Sequence, residues 1–287
     1  MASFAITTDN NGDLPLTYLK EHHVGLMSLT YTLEGNTYDS FCPMPEHEFY
    51  QKMRAGAMPT TAQVNPEAAK KVLRDALQQH DGVLHIAFSS GLSGSCQSAM
   101  LAAAELREEF PDKNMIVVDS LSASLGQGLL VHNACKMRDA GCSLEKTAAW
   151  CEENKLHIGH LFTVDDLFHL YRGGRVSRTK AFIGSALNMK PILHVDNEGK
   201  LMPIGKVRGR KRALDELVSR METQVGSRYD GVVFISHGDC EQDAVYVRNQ
   251  VAERLGVSES LIHFVGPSIG AHSGPGTVAL FFGAETR

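Results

Sequence analysis

Short apolar, β-branched stretches alternate with segments of helical period through the first half of the chain. That rhythm restricts the fold more than any single motif. Strand-like stretches run from Phe4 to Thr8, Val24 to Leu33, Gly82 to Ser89, Met115 to Asp119 and Leu156 to Val164. Between them, Asn65 to Gln79 carries the plainest helix signals: Asn65 as N-cap, Pro66 at the first helical position, and Ala69, Val72, Leu73, Ala76 and Leu77 on one stripe. The alanine-rich Ser95 to Phe110 is a second helix. Such alternation predicts a parallel sheet wrapped by helices.

The second half has a different pattern. Asn188 to Val207 holds two strand-like stretches around Asp196-Asn197-Glu198-Gly199, a turn signal for an antiparallel hairpin. Helical segments Arg210 to Val225 and Asp239 to Leu255 each precede a strand-like stretch, and Thr277 to Phe282 reads as a final strand. The expected architecture is therefore two domains: an N-terminal parallel-sheet α/β/α domain over residues 1–162 and a C-terminal mixed α+β domain over residues 163–287.

A chain of 287 residues with 43% hydrophobic and 21% charged side chains is long and apolar enough to bury a core, which rules out disorder. The formal charge of −5 provides no field to gather a phosphate polymer, so nucleic acid is not an expected partner. No apolar run approaches the roughly 18–20 residues of a membrane span. The opening Met1 to Asp9 lacks the basic segment of a signal peptide and reads as a first strand, which gives a cytoplasmic expectation. Six cysteines without a C-x-x-C pair are expected to be reduced and structural.

Three segments carry chemistry. Ala87 to Ser95 reads Ala-Phe-Ser-Ser-Gly-Leu-Ser-Gly-Ser between a strand and a helix, where small residues leave amide groups and hydroxyls available to an anion. An ordinary serine-capped turn would look similar. Pro59-Thr60-Thr61-Ala62-Gln63 forms a loop with two adjacent hydroxyls, which can equally bond their own backbone. Near the end, Gly266 to Gly276 sets His272 inside a glycine- and proline-rich loop that lets a ligand approach closely. Neither G-x-x-x-x-G-K-[ST] nor G-x-G-x-x-G occurs, so no nucleotide site and no cofactor are expected.

Two other chemistries compete. Ser93 as nucleophile and His272 as base would make a serine hydrolase of acyl esters, but G-x-S-x-G fails at Ser95. His157 and His160 stand three apart in a strand, on opposite faces, with no completing ligands, so no metal is expected. Basic clusters at Arg172 to Lys180 and Lys206 to Arg212 are either solvated faces or docking surfaces.

Taken in order, PTTAQ at 59–63, SSGLSGSCQSA at 89–99, DSLSASLGQG at 119–128, LYRGGRVS at 170–177, NMKPILHVDNEGKL at 188–201, KVRGRKRAL at 206–214 and GAHSGPG at 270–276 resemble the DegV family of bacterial fatty-acid-binding proteins. The similarity covers nearly the whole chain. It implies two α/β domains with a long-chain fatty acid in a tunnel between them, its carboxylate near the surface. It further implies a lipid-binding protein rather than an enzyme, serving an ATP-dependent fatty acid kinase subunit that makes acyl phosphate for phospholipid metabolism. Transient contact with a membrane surface is compatible with that role. On matching positions Thr61, Ser93 and His272 would hold the carboxylate, with Thr60, Gly94 and Arg208 in support. Arg172 and Arg175 would lie on the loop that meets the kinase. The chain departs from the family pattern at Asn10 and Ala62, where serine is common.

Overall fold

In the computed structural model of the chain, the described residues are 3–177 and 188–287. Arg178, Thr179 and Lys180 of the first basic cluster lie outside them. The chain opens with β1 (Phe4–Asp9), a single 3-10 turn at Asn10–Gly12, α1 (Leu16–Glu21) and β2 (Val24–Met27), followed by β3 (Thr30–Leu33), β4 (Asn36–Tyr38), α2 (Glu46–Arg54) and β5 (Thr60–Ala62). It continues through α3 (Pro66–Gln79), β6 (Gly82–Ala87), α4 (Ser95–Glu109), β7 (Asn114–Asp119), α5 (Leu125–Asp139) and α6 (Leu144–Asn154). The second half comprises β8 (Ile158–Thr163), α7 (Phe168–Arg172), β9 (Met189–Val195), β10 (Leu201–Arg208), α8 (Arg210–Gln224), β11 (Val232–His237), α9 (Glu241–Leu255), β12 (Glu259–Phe264), α10 (Pro267–Ser273) and β13 (Val278–Gly283).

A parallel sheet in the order β2-β1-β6-β7 organises the N-terminal part, and a mixed sheet in the order β10-β9-β8-β13-β11-β12 organises the C-terminal part. The expected α/β class therefore holds. Strands β1 and β6 are buried along their whole length, as continuous apolar runs covered on both faces must be. The 158–163 strand, which the alternation assigned to the first sheet, is a central strand of the second, between β9 and β13. The 196–199 turn forms as expected: the Asp196 carboxylate accepts from the amides of Glu198 and Lys200, both at 2.9 Å, and Gly199 takes φ +72°. Pro203 is tolerated because β10 is an edge strand and carries a bulge there.

Helix α3 starts where its signals place it, with the Asn65 side chain accepting from the Ala68 amide at 2.8 Å, and buries Ala69, Leu73 and Leu77. The buried alanines Ala99, Ala102 and Ala103 of α4 let it pack closely beside α3, and Lys70–Glu105 and Arg74–Glu109 pairs bridge the two helices. Helices α8 and α9 cover the outer face of the second sheet. Helix α5 fills the space between the sheets. Leu125, Leu129 and Leu130 share one core cluster with Ile6 and Ile86 of the first sheet and Phe162, Phe234 and Phe281 of the second. A helix packed from two sides is buried nearly all round, hence its weak amphipathic pattern. No helix of the described residues is long and apolar enough to cross a membrane.

Three expectations need correction. Val24 to Leu33 is not one strand: it breaks after Met27, and β3 leaves to build a separate antiparallel sheet in the order β4-β3-β5. PTTAQ is not a loop, because Thr60–Ala62 pairs with Thr30–Thr32 as β5. His272 lies on α10 rather than in a loop, since Pro267 starts a short helix that Gly274, at φ +80°, ends.

Candidate functional site

The first sheet reverses its strand order at β1, which has β2 on one side and β6 on the other. Crevices outside the carboxyl ends of strands at such a point are where open α/β sheets receive ligands. Here the Asp9 carboxylate at the end of β1 ties both neighbouring loops, accepting from the Asn11 amide at 3.1 Å and the Phe88 amide at 2.7 Å. Burial outweighs these bonds and raises its pKa to about 6.

Outside that edge lies a cavity of about 240 Å³, closed on the far side by β8, β11 and β13 of the second sheet. Phe88, Leu92, Phe162, Leu170, Leu201 and Phe281 give it an apolar wall. The β9–β10 hairpin closes one side, with the Ser89 hydroxyl donating to the Gly199 carbonyl at 2.8 Å. Among its described lining residues there is no Asp or Glu, and Arg175 is the permanent charge. A second cavity of about 340 Å³ has Asp9, Asp13, Asp39 and Glu46 and, among its described lining residues, His263 but no Lys or Arg. An anionic ligand is therefore directed to the first.

Four segments meet at one end of the first cavity. Thr61 on β5 presents its hydroxyl to His272 Nε2 at 2.8 Å. The Ser93 hydroxyl lies 3.0 Å from that of Ser95, which accepts from the Val64 amide at 3.1 Å and so joins the β5 segment to the start of α4. Arg175 donates to the Leu92 carbonyl at 3.2 and 3.3 Å. Arg172 donates to the Ala271 carbonyl at 3.2 Å, beside His272. Gly94 also lines the cavity and is packed so tightly that a Cβ there would overlap the Gln63 side chain.

The structure thus brings Thr61, Ser93, Gly94 and His272 together. It also brings Arg175 to the lining of this cavity, and Arg172 next to it. Thr60 and Arg208 are exposed and outside the cavity lining. In the second basic cluster, Arg210 pairs with Asp243 at 2.7 Å. His157 and His160 each direct Nδ1 to a backbone carbonyl, and no group of three or more His, Cys, Asp or Glu among the described residues could hold a metal ion. Gln63 is a wall residue that was not among the sequence candidates, and Arg175, expected at a docking loop with carboxylate pairing as the alternative, lines the cavity.

A hydrolase would need Ser93 bonded to His272 and an acid behind the imidazole. Neither contact is present among the described residues. The Ser93 partner is Ser95, that of His272 is Thr61, and the charged groups acting on His272 are the two guanidinium groups.

Burial first, then Arg175 and Arg172, push the His272 imidazole down from 6.5 to about 4, so it is neutral at pH 7. A histidine depressed in the folded state contributes stability that is fully present above pH 6.5 and is lost as pH falls through about 4. His272→Gln is accordingly expected to flatten the acid limb of a stability-versus-pH curve by about 2 kcal/mol, after discounting for partial exposure. Urea unfolding of both proteins across that pH window measures it, and identical acid limbs would contradict it.

Comparison with known proteins bears on the family and the fold. The family model described as uncharacterised protein, DegV family, matches residues 3–285. A DegV domain-containing protein of Clostridium perfringens is 39% identical over 291 residues, covering 100% of this chain and 99% of the relative. A solved structure from Thermus thermophilus, described as fatty acid binding of a DegV family protein, superposes with a TM-score of 0.90 at 35% identity, covering 99% of this chain and 100% of that one. DegV of Bacillus subtilis, described as a fatty acid binding protein, gives 0.86 at 27% identity, covering 99% and 100%.

Proposed function

The chain belongs to the DegV family, and from that premise we propose that it binds a long-chain fatty acid in the cavity between its two larger sheets. The observation that carries this reading is a mostly apolar cavity with a polar end made by Thr61, Ser93, His272 and Arg175, the one guanidinium among its described lining residues. An acyl tail of sixteen carbons is worth about 10 kcal/mol on leaving water, at about 0.8 kcal/mol per buried CH₂. The hydrocarbon wall then supplies affinity, and the polar end sets orientation.

In this reading the seam between an N-terminal and a C-terminal domain falls just ahead of β8. The protein is a binder that presents the carboxylate to a separate ATP-dependent kinase in the cytoplasm, which forms the acyl phosphate. The lack of any phosphate-loop sequence in this chain supports that division of labour. Arg175 offsets the carboxylate charge, and Arg172 holds the α10 backbone that carries His272.

One experiment addresses these roles together: displacement of a fluorescent fatty acid, and acyl phosphate formation with the cognate kinase, measured on the same variants. Thr61→Val and Ser93→Ala are each expected to weaken binding about tenfold or more without abolishing it, since a hydrogen bond to a charged group is worth about 1.5–3 kcal/mol. The Arg172→Ala, Arg175→Ala double variant is expected to lose lipid affinity and phosphorylation together. Loss of phosphorylation with intact lipid affinity would return the arginines to partner docking. Turnover of p-nitrophenyl palmitate that Ser93→Ala abolishes would overturn the binding reading.

A further inference from the structure

We infer, on the basis of the fatty-acid reading above, that the cavity is built for an acyl chain carrying a hydroxyl in its carboxyl-proximal section. A cavity serving only hydrocarbon should have no unpartnered polar atoms in its wall, because each one left dry under a methylene chain weakens binding. This wall has several. Asn11 Oδ1, Ser268 Oγ and Ser273 Oγ belong to lining residues only 2%, 7% and 4% exposed, and none has a hydrogen-bond partner among the described residues.

Other polar groups of the wall are bonded or turned aside. The Ser124 hydroxyl bonds Asp13 at 2.5 Å and Ser236 at 2.8 Å. His160 Nε2 is unpartnered too, but it is turned toward Gly126 of α5, where a Cβ would overlap it. Apart from His160 Nε2, the unpartnered polar atoms of the described wall lie on α10 and the Asn10–Gly12 turn.

Their position sets where along the chain an oxygen would be read. Ser268 precedes His272 by four residues, on the same face of α10, about 6 Å along the helix axis. With the carboxylate held at Thr61, Ser93 and His272, the first few carbons of the tail pass Ser268. A serine hydroxyl can rotate to donate to or accept from a secondary alcohol there, as plain hydrocarbon cannot. Sites that hydrogen-bond a ligand hydroxyl reject the analogue lacking it more strongly than apolar pockets reject a misplaced methylene.

The full-length protein, stripped of lipid, is titrated with palmitate, β-hydroxypalmitate and ω-hydroxypalmitate by calorimetry. β-Hydroxypalmitate is expected to bind about tenfold tighter than palmitate, and ω-hydroxypalmitate no tighter than palmitate. In the Ser268→Ala, Ser273→Ala double variant the preference is expected to shrink below threefold, with palmitate affinity unchanged or improved. Palmitate binding as tightly as β-hydroxypalmitate in the wild type would overturn the inference whether or not the variant folds. A preference that survives in a folded double variant, or an equal gain for the ω-hydroxy acid, would overturn it too. Failure of all three acids to bind would instead refute the fatty-acid reading on which it rests.

Discussion

Ala279→Phe is expected to lower affinity for a sixteen-carbon fatty acid by more than a thousandfold while leaving the protein folded. Ala279 sits on β13 with Phe162 of β8 and Ser236 of β11 as its paired neighbours, is 6% exposed, and lines the cavity. A ring at this position grows into the space the tail would occupy. Excluding half of a tail worth about 10 kcal/mol removes about 5 kcal/mol, more than three decades at 1.4 kcal/mol each. Overpacking a filled core costs about 1–3 kcal/mol, and here the ring enters open space, so the stability cost lies at or below the low end. Displacement titration with urea unfolding checks both parts. Binding within tenfold of the wild type would contradict the assignment of the acyl chain to this cavity.

Arg287→Ala is expected to cost about 3 kcal/mol of stability. Its guanidinium donates to the carbonyls of Leu121 and Lys155 at 2.6 Å and of Ile158 and Asp196 at 3.2 Å, and to the Ser122 hydroxyl at 2.9 Å. It thereby ties the β7–α5 loop, the approach to β8 and the β9–β10 hairpin, elements far apart in sequence that all adjoin the cavity wall. Leu121 is held at φ +47°, a conformation its neighbours must enforce. Burial lowers the guanidinium pKa only to about 10, so the group is charged at neutral pH and its bonds are charge-assisted. Partial exposure of the side chain keeps the sum well below five full hydrogen bonds. Arg287→Lys is expected to recover less than half, because a single ammonium cannot fork to five acceptors. A loss under 1 kcal/mol in urea unfolding would show that the loops hold without it.

The parts of this molecule that were legible in the sequence are those in which local signals and burial agree. Asn65 and Pro66 mark the start of α3, and Asp196 to Gly199 mark the hairpin, because a cap and a turn are built from neighbouring residues. The break between β2 and β3 was hidden, since apolar character continues across it and only the choice of partner strands separates Met27 from Thr30. A usable signal stood just beyond, at Glu34-Gly35, both at positive φ in the two-residue turn that pairs Leu33 with Asn36.

In the site, Ser93 and His272 were visible as a hydroxyl-rich turn and a histidine among glycines. The local sequence around Arg175 gives no hint that it lines the cavity, because that depends on its bonds to Leu92, 83 residues away. Likewise Arg287 looks like an ordinary chain end in sequence and becomes a cross-link only when three distant segments meet around it.

The central claim, that the cavity between the sheets holds a fatty acid, is tested most directly by native mass spectrometry of the purified protein with analysis of its organic extract. The account predicts one long-chain fatty acid per chain, released on denaturation and regained when the stripped protein is offered the free acid. A purified protein that carries no acyl chain, and that also takes up none when long-chain fatty acid is added, would contradict it.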